Sequence, residues 1–235
     1  MKNRLKSLFF LVLVSSSTFA HNIWIEASQT GKVGKEQIAK VFLGGYGENE
    51  RDSTRNWFSN TKDFAIWLIE PSGTKTQLTA KAAAIYFEAV FTPDKEGVYT
   101  LAISHEVAEV FGTTKYHYFA TAQVKVGNAT SGQNNLATAT DLVIEPASGL
   151  KAQKPATLKI QYKSQNLDKT HASVGAPSGW AKGLETSHGS ATFDAIWAGL
   201  YVAEASYSDK TEGSLNGKDF KRVQYVGTHS FYVGD

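Results

Sequence analysis

From residue 21 onward the chain is filled with short runs in which apolar and polar residues alternate. In the run 63–70, apolar side chains recur at Phe64, Ile66 and Leu68, and Pro71-Ser72-Gly73 then marks a turn. A period of two residues is typical of β-strands, and no helical periodicity longer than two turns accompanies it. An all-β fold is therefore expected, with the further strands predicted at 37–43, 84–91, 98–104, 117–126, 141–145, 156–163, 171–174, 191–195, 199–207 and 223–233.

A composition change divides these strands into two series. Residues 128–140 are mostly Asn, Ala, Thr, Ser, Gly and Gln, with almost nothing to bury, which is typical of a linker. The segments 89–101 and 191–203 share one pattern: Phe, a short turn, Gly, an apolar residue and Tyr, followed by alternating apolar residues. We therefore predict two related β-sandwich domains in tandem, at 21–127 and 141–235.

The first twenty residues have the pattern of an export signal. A basic start at residues 2–6 precedes an apolar run at 8–14, and small residues follow at Thr18 and Ala20. Cleavage after Ala20 makes His21 the new N-terminus. The expected location is the periplasm or the outside of the cell.

Composition excludes several classes of function. Three of the 24 basic residues lie in the predicted signal segment, which leaves 21 basic against 22 acidic side chains, so charge gives no case for nucleic acid or an anionic membrane as partner. The absence of cysteine excludes disulfides, thiolate metal sites and thiol nucleophiles. Beyond the signal segment no apolar run approaches the roughly 20 residues of a membrane-spanning helix, so direct membrane insertion is not expected.

His21 is the sharpest chemical feature. An N-terminal histidine offers an imidazole and a free α-amine, two nitrogens that chelate one metal ion. The plain alternative is that His21 only begins the first strand, because alternation continues through Ile23 and Ile25 with or without a metal. A histidine at mature position three, which completes a square-planar amino-terminal chelate, is absent, since that position is Ile23.

Two more histidines are candidate metal ligands. His105 ends one predicted strand and His117 opens the next, so antiparallel pairing would bring them close, and with His21 they form an all-nitrogen site. Such a site suits nickel, cobalt, copper or zinc rather than calcium. The alternative for both is a half-buried structural residue. The remaining histidines, His171, His188 and His229, are interpreted as surface or loop residues.

Catalytic patterns are weak. Glu48, Glu50 and Asp52 form an acidic loop, but Arg51 lies among them and the spacing matches no calcium loop, which favours a solvated loop. No Gly-x-Ser-x-Gly elbow or phosphate-binding glycine loop occurs. We therefore expect a binding protein rather than an enzyme.

The tryptophans allow another class of function. Trp24, Trp67 and Trp197 lie in alternating runs and are predicted to pack in the interior. Trp57 and Trp180 lie in polar loops, where exposed rings stack on sugars or contact a partner.

Four segments together resemble the DUF4198 family of exported proteins: His21-Asn-Ile-Trp24, and the segments 42–48, 115–127 and 199–201. The resemblance implies a pair of Ig-like or prealbumin-like domains and, for some members, binding of a divalent transition metal in nickel and cobalt uptake. Members often carry a histidine where this chain reads Gly44-Gly-Tyr-Gly-Glu48. Either a ligand is missing here, or Glu48 takes its place.

The first hypothesis is an exported binding protein for a divalent transition metal of the nickel and cobalt class, which supplies or buffers the ion and cooperates with a membrane transporter component. His21 is the anchor, and His105 and His117 are the candidate completing ligands.

An alternative is an Ig-like adhesion or carbohydrate-binding module that uses Trp57 or Trp180 without metal. A third, remoter alternative is a copper oxidase with an N-terminal histidine brace.

Overall fold

The computed structural model describes residues 21–129, 135–176 and 179–235. The predicted signal segment and part of the proposed linker lie outside these ranges. Single 3₁₀ turns occur at Thr54–Asn56, Thr61–Asp63 and Leu136–Thr138. The strands are β1 Asn22–Ala27, β2 Thr30–Gly31, β3 Gln37–Gly44, β4 Ile66–Ile69, β5 Lys75–Leu78, β6 Ala80–Ala82, β7 Phe87–Phe91, β8 Gly97–Phe111, β9 Thr114–Val126, β10 Leu142–Pro146, β11 Lys154–Tyr162, β12 Gln165–Asn166, β13 His171–Ala176, β14 Trp180–Leu184, β15 Thr186–Ser187, β16 Ser190–Ala195, β17 Gly199–Asp209, β18 Gly213–Leu215, β19 Lys218–Phe220 and β20 Arg222–Val233.

One long sheet runs through both halves of the chain. Its strand order is β14-β13-β17-β20-β9-β8-β4-β5, and β2 pairs with β9. The halves meet where β20 lies parallel to β9, with Tyr225 opposite His117 and Ser230 opposite Ala122. Two smaller sheets, β1-β3-β7-β6 and β10-β11-β16-β15, complete the main architecture.

The two hydrophobic cores lie on opposite faces of the long sheet. On β9, Tyr118 belongs to the first core and its neighbour Phe119 belongs to the second. Successive side chains of a strand point to opposite faces, so a single strand serves both cores. Val226 of β20 likewise joins the first core, although most of that core comes from residues before 127. The predicted all-β sandwich fold is confirmed, whereas the division into two domains stays a prediction.

The internal repeat has a structural counterpart. In the first half, the Tyr99 hydroxyl donates to the Lys95 carbonyl over 3.1 Å, and in the second half the Tyr201 hydroxyl donates to the Trp197 carbonyl over 3.0 Å. Each tyrosine packs on the phenylalanine of its own repeat, with ring centroids 5.8 and 5.9 Å apart. These are tyrosine corners, which pin a strand to the turn before it.

Four residues differ in burial from the sequence-based expectation. Trp57, expected in an exposed loop, is 5% exposed and packs edge-on against Phe87. Trp67 and Trp197, expected in the interior, are 38% and 43% exposed. His229, expected at the surface, is buried in β20. Alternation along a strand sets which residues share a face but leaves open which face a second sheet covers.

Within the described ranges, no helix has the length and apolar character needed to cross a membrane.

Candidate metal site

His21 opens onto a cleft of about 270 Å3 between the first strand and the second half of the long sheet. Strand β1 is the edge of its own sheet and packs across β20, where the Thr228 hydroxyl donates to the Ile23 carbonyl over 2.7 Å. The lining holds the carboxylates of Glu48, Glu50 and Glu204, but no lysine or arginine. Its other members are Asn22, Trp24, Gly45, Tyr46, Gly47, Ser173, Gly175, Ala181, Val202 and Thr228.

The imidazole of His21 is paired with the acidic loop. Its Nε2 atom lies 3.5 Å from Oδ2 of Asp52, and the two side chains are 35% and 29% exposed. The ring is therefore accessible from solvent and lies beside negative charge. This environment favours a cation at the mouth of the cleft.

The loop between β3 and Asp52 is fixed against the second half by close glycine packing. A Cβ atom on Gly47 would come within 2.5 Å of the Ala181 Cβ, and one on Gly175 would come within 2.8 Å of the Tyr46 ring. The Tyr46 hydroxyl donates to the Leu200 carbonyl over 2.9 Å. Side chains at these glycines would hold the loop away from the sheet, so the glycines permit the contact that closes the cleft.

Arg51 sits among the acidic residues of this loop, and its guanidinium lies over the rings of Trp24 and Tyr46, which line the cleft. Its guanidinium carbon lies 5.3 Å from the Phe42 ring centre and 5.6 Å from that of Trp24, and Nη2 lies 3.3 Å from Oε1 of Glu26. Cation–π contacts and the ion pair hold the positive charge there. Glu48 and Glu50 belong to the lining of the cleft, whereas Arg51 does not.

Glu204 forms the inner acidic wall. Burial, and next the carboxylate of Glu48, raise the pKa of Glu204 from its ordinary value to about 7. Asn22 Nδ2 donates a hydrogen bond to Glu204 Oε2. Asn22 is 6% exposed, and its Oδ1 atom has no hydrogen-bond partner among the described residues.

His105 and His117 do not meet His21 in this cleft, nor do they face one another. His105 is opposite Tyr118 in the β8–β9 ladder, whereas His117 is opposite Glu106, so the two rings point to opposite faces of the sheet. The expectation that pairing would bring these rings close on one face is wrong, because they occupy consecutive rungs of the ladder.

The rings of His105 and His117 have the surroundings of structural residues. His105 is 7% exposed, and burial lowers its pKa. His117 stacks on Phe119 with 4.4 Å between ring centres and shares a 2.8 Å hydrogen bond with the Ser104 hydroxyl; burial lowers its pKa also. Across the described ranges, no group of three or more His, Cys, Asp or Glu side chains is already arranged to hold an ion. The three-histidine site therefore does not assemble in this conformation.

Glu204 was missed by sequence reasoning. It alternates with Tyr201, Ala203 and Ala205, all fully buried in the second core, so the pattern assigns it to the solvent face of its strand. No local signal shows that β1 and the loop 44–52 cover this face. For Glu48, the family resemblance left two alternatives open, a missing ligand or Glu48 in its place, and Glu48 does line the cleft.

Comparisons with known proteins add no functional assignment. Neither a protein-family model nor a curated protein sequence matches this chain. Among solved structures, the chain is similar to a Salmonella alpha-2-macroglobulin mutant, with 8% identity and a TM-score of 0.31. The match covers 92% of this chain and 15% of the macroglobulin, so this chain spans a small fraction of that protein's length.

Trp180, one of the two tryptophans of the adhesion or carbohydrate-binding hypothesis, contacts another tryptophan. Trp180 is half-buried at the start of β14 and meets Trp197 edge to face, with ring centres 6.2 Å apart. Trp57 is buried, so of the two tryptophans of this hypothesis Trp180 remains, and the exposed Trp197 lies beside it.

Proposed function

We propose that this protein binds a divalent transition-metal ion of the nickel and cobalt class at the His21 cleft, as cargo that it buffers or hands to a membrane transporter component in the periplasm. The observation that carries the proposal is the lining of the cleft. His21 and three acidic residues, Glu48, Glu50 and Glu204, all line the cleft, and no lysine or arginine belongs to that lining.

The donor types fit such an ion. A neutral imidazole nitrogen suits nickel, cobalt, copper and zinc, whereas a site of oxygen ligands alone suits magnesium or calcium. The unpartnered Oδ1 of the buried Asn22 side chain adds a donor that the protein itself does not satisfy. A mixed nitrogen and oxygen set thus replaces the all-nitrogen set expected from the sequence.

The residues of the chain would contribute to binding of the ion in three ways. His21 provides the nitrogen, and cleavage after Ala20 would add its α-amine. The acidic rim of the cleft, formed by Glu48 and Glu50, attracts the cation, because a bound positive charge reduces the repulsion among negative side chains. The packed loop 44–52 keeps the rim in place through the backbone bonds from Glu50 N to the Gly45 carbonyl and from Asp52 N to the Leu43 carbonyl.

The test uses the mature chain beginning at His21, purified from periplasm with its N-terminus verified by mass spectrometry. Metal content is measured first, and calorimetric titration with Ni²⁺, Co²⁺, Cu²⁺ and Zn²⁺ follows for wild type, H21A and H171A. His171 is exposed on β13 and is the matched control. One ion per chain that is lost in H21A and kept in H171A is expected. No binding of the four ions, or equal binding in H21A, overturns the proposal.

A second candidate function is carbohydrate or partner binding at the Trp180–Trp197 pair, favoured by the 43% exposure of Trp197. A glycan array with wild type, W180A and W197A tests it. Specific glycan binding that both substitutions abolish would support this function, and no binding by wild type would remove it.

A further inference from the structure

Two residues at the inner wall of the cleft have polar atoms whose bonding is incomplete within the protein. Asn22 is nine-tenths buried, lines the cleft, and has an Oδ1 atom without a partner. Glu204 lines the same cleft, and its carboxylate accepts a hydrogen bond from the Asn22 side-chain amide. A buried carbonyl oxygen without a donor is destabilising, so a ligand that binds this oxygen would restore the lost interaction.

The two residues come from distant parts of the chain. Asn22 begins β1, and Glu204 lies near the middle of β17, 182 residues later. Beside Glu204, Ser173 occupies the paired position on β13, and Thr228 the paired position on β20. The Thr228 hydroxyl donates to the Ile23 carbonyl. Among the oxygens of this wall, Glu204 supplies a carboxylate and Asn22 a buried Oδ1 atom without a partner among the described residues.

The charges around the cleft indicate whether the ligand is a cation or an anion. The charged neighbour that perturbs Glu204 is the carboxylate of Glu48, another negative group. An anion would meet the acidic side chains of the lining, whereas a cation relieves the repulsion between Glu48 and Glu204.

We propose that Glu204, through its carboxylate, and Asn22, through Oδ1, are the inner oxygen ligands of the cation, which binds between β1 and β17 with His21 at the mouth of the cleft. This inference rests on the proposed function and deepens it. Metal recognition then belongs to both halves of the chain. The acidic loop 48–52 attracts the ion, and the inner wall fixes its position.

The experiment measures Ni²⁺ and Co²⁺ binding to the mature chain by calorimetry for wild type, E204Q, N22L and H21A. E185Q is the matched control, because Glu185 is exposed and lies in the same half. E204Q and N22L are each expected to weaken binding at least tenfold, with E185Q unchanged. Circular dichroism and thermal unfolding of the apo proteins verify the fold, and E204Q, whose side chain has nearly the same shape, carries the test if N22L fails to fold.

A second readout separates ligation from a structural role. The visible absorption of bound Co²⁺ reports its ligands, so E204Q should alter the band positions or intensities at saturating Co²⁺, and E185Q should not. If wild type and E204Q bind with equal affinity and give the same spectrum while H21A loses the ion, the inner-wall assignment is overturned and the proposed function stands. If wild type binds neither ion, both are overturned.

Discussion

The amide of Asn22 donates a hydrogen bond to the carboxylate of Glu204, joining the first strand of the described chain to a strand near its end. The bond lies where β1 crosses the face of the long sheet that the second core leaves uncovered. It places a carboxylate beside a carbonyl oxygen that has no partner among the described residues.

Replacing Glu204 with glutamine should stabilise the apo protein at neutral and higher pH. Because the folded-state pKa is raised to about 7, the unfolded chain loses this proton near pH 4.5 while the folded chain retains it. Stability therefore falls as pH rises from about 4.5 to 7. Above that range the ionised group costs roughly 3 kcal/mol.

Urea unfolding of wild type, E204Q and E185Q at pH 4, 5.5, 7 and 8 checks this. E204Q should match wild type near pH 4 and exceed it at pH 8, whereas E185Q should follow wild type throughout. Parallel curves for wild type and E204Q would show that Glu204 ionises normally in the folded protein.

The buried His229 should produce the opposite slope. Burial lowers its pKa to about 3, and its Nδ1 lies 2.9 Å from the Thr121 hydroxyl. The unfolded chain takes up the proton near pH 6.5, so the stability contributed by neutral His229 is present above that pH and is lost as pH falls toward 3. The limiting slope is about 1.4 kcal/mol per pH unit.

Free energies of unfolding measured between pH 4 and 7 for H229Q and H171Q test this slope. H229Q should be less stable overall but flatter with pH, and H171Q, altered at an exposed site, should retain the wild-type dependence. An unchanged slope in H229Q would contradict the assignment.

The contact between Gly47 and Ala181 should tolerate no added methyl group. An alanine at 47 would place its Cβ 2.5 Å from that of Ala181, so G47A should push the loop outward, lower stability by about 1–3 kcal/mol and weaken Ni²⁺ binding. G183A on the neighbouring strand β14 is the control, since a Cβ there meets no atom within 4 Å. Equal stability and affinity for the two variants would mean that the loop is not held by this contact.

A histidine at position 48 should increase the affinity for Ni²⁺. Glu48 lines the cleft and its carboxylate reaches back over Gly45, so an imidazole there adds a nitrogen donor near His21. Nitrogen donors favour this ion over hard cations. We expect E48H to bind Ni²⁺ about tenfold more tightly in calorimetry, by roughly 1.4 kcal/mol. E185H should bind as wild type does, and weaker binding by E48H would indicate that the Glu48 carboxylate itself is a ligand.

One added residue before mature His21 should weaken Ni²⁺ binding at least tenfold if the α-amine is a ligand. The imidazole and the rim carboxylates remain, so the loss isolates the amine. Calorimetry on a chain with a single glycine before His21, beside a chain beginning at His21, gives the comparison. Equal affinities would leave the imidazole of His21 as its sole donor.

Local pattern was enough to predict the β-sandwich architecture and much of the strand placement. Alternation at Phe64, Ile66 and Leu68 and the repeated Phe-turn-Gly-x-Tyr unit are properties of neighbouring residues, and the two tyrosine corners show that each repeat forms the same local structure. His21 was also identified locally, because its chemistry depends on its position next to a predicted cleavage site.

Long-range pairing decided the rest. The sequence placed His105 and His117 within reach of each other, but the register of β8 and β9 directs them to opposite faces, and register is set by the whole sheet rather than by either strand. Burial of Trp57 and His229 depended in the same way on which face another element covered.

The sequence by itself determined the all-β class, the strand periods and the chemical candidate at His21, since each follows from side chains close together in the chain. The tertiary structure alone decided that β9 and β20 join the two halves in one sheet, and that Asn22 and Glu204 meet beneath His21. The physical reason is that alternation defines the two faces of a strand, while the packing of strands distant in sequence determines which of those faces leaves water.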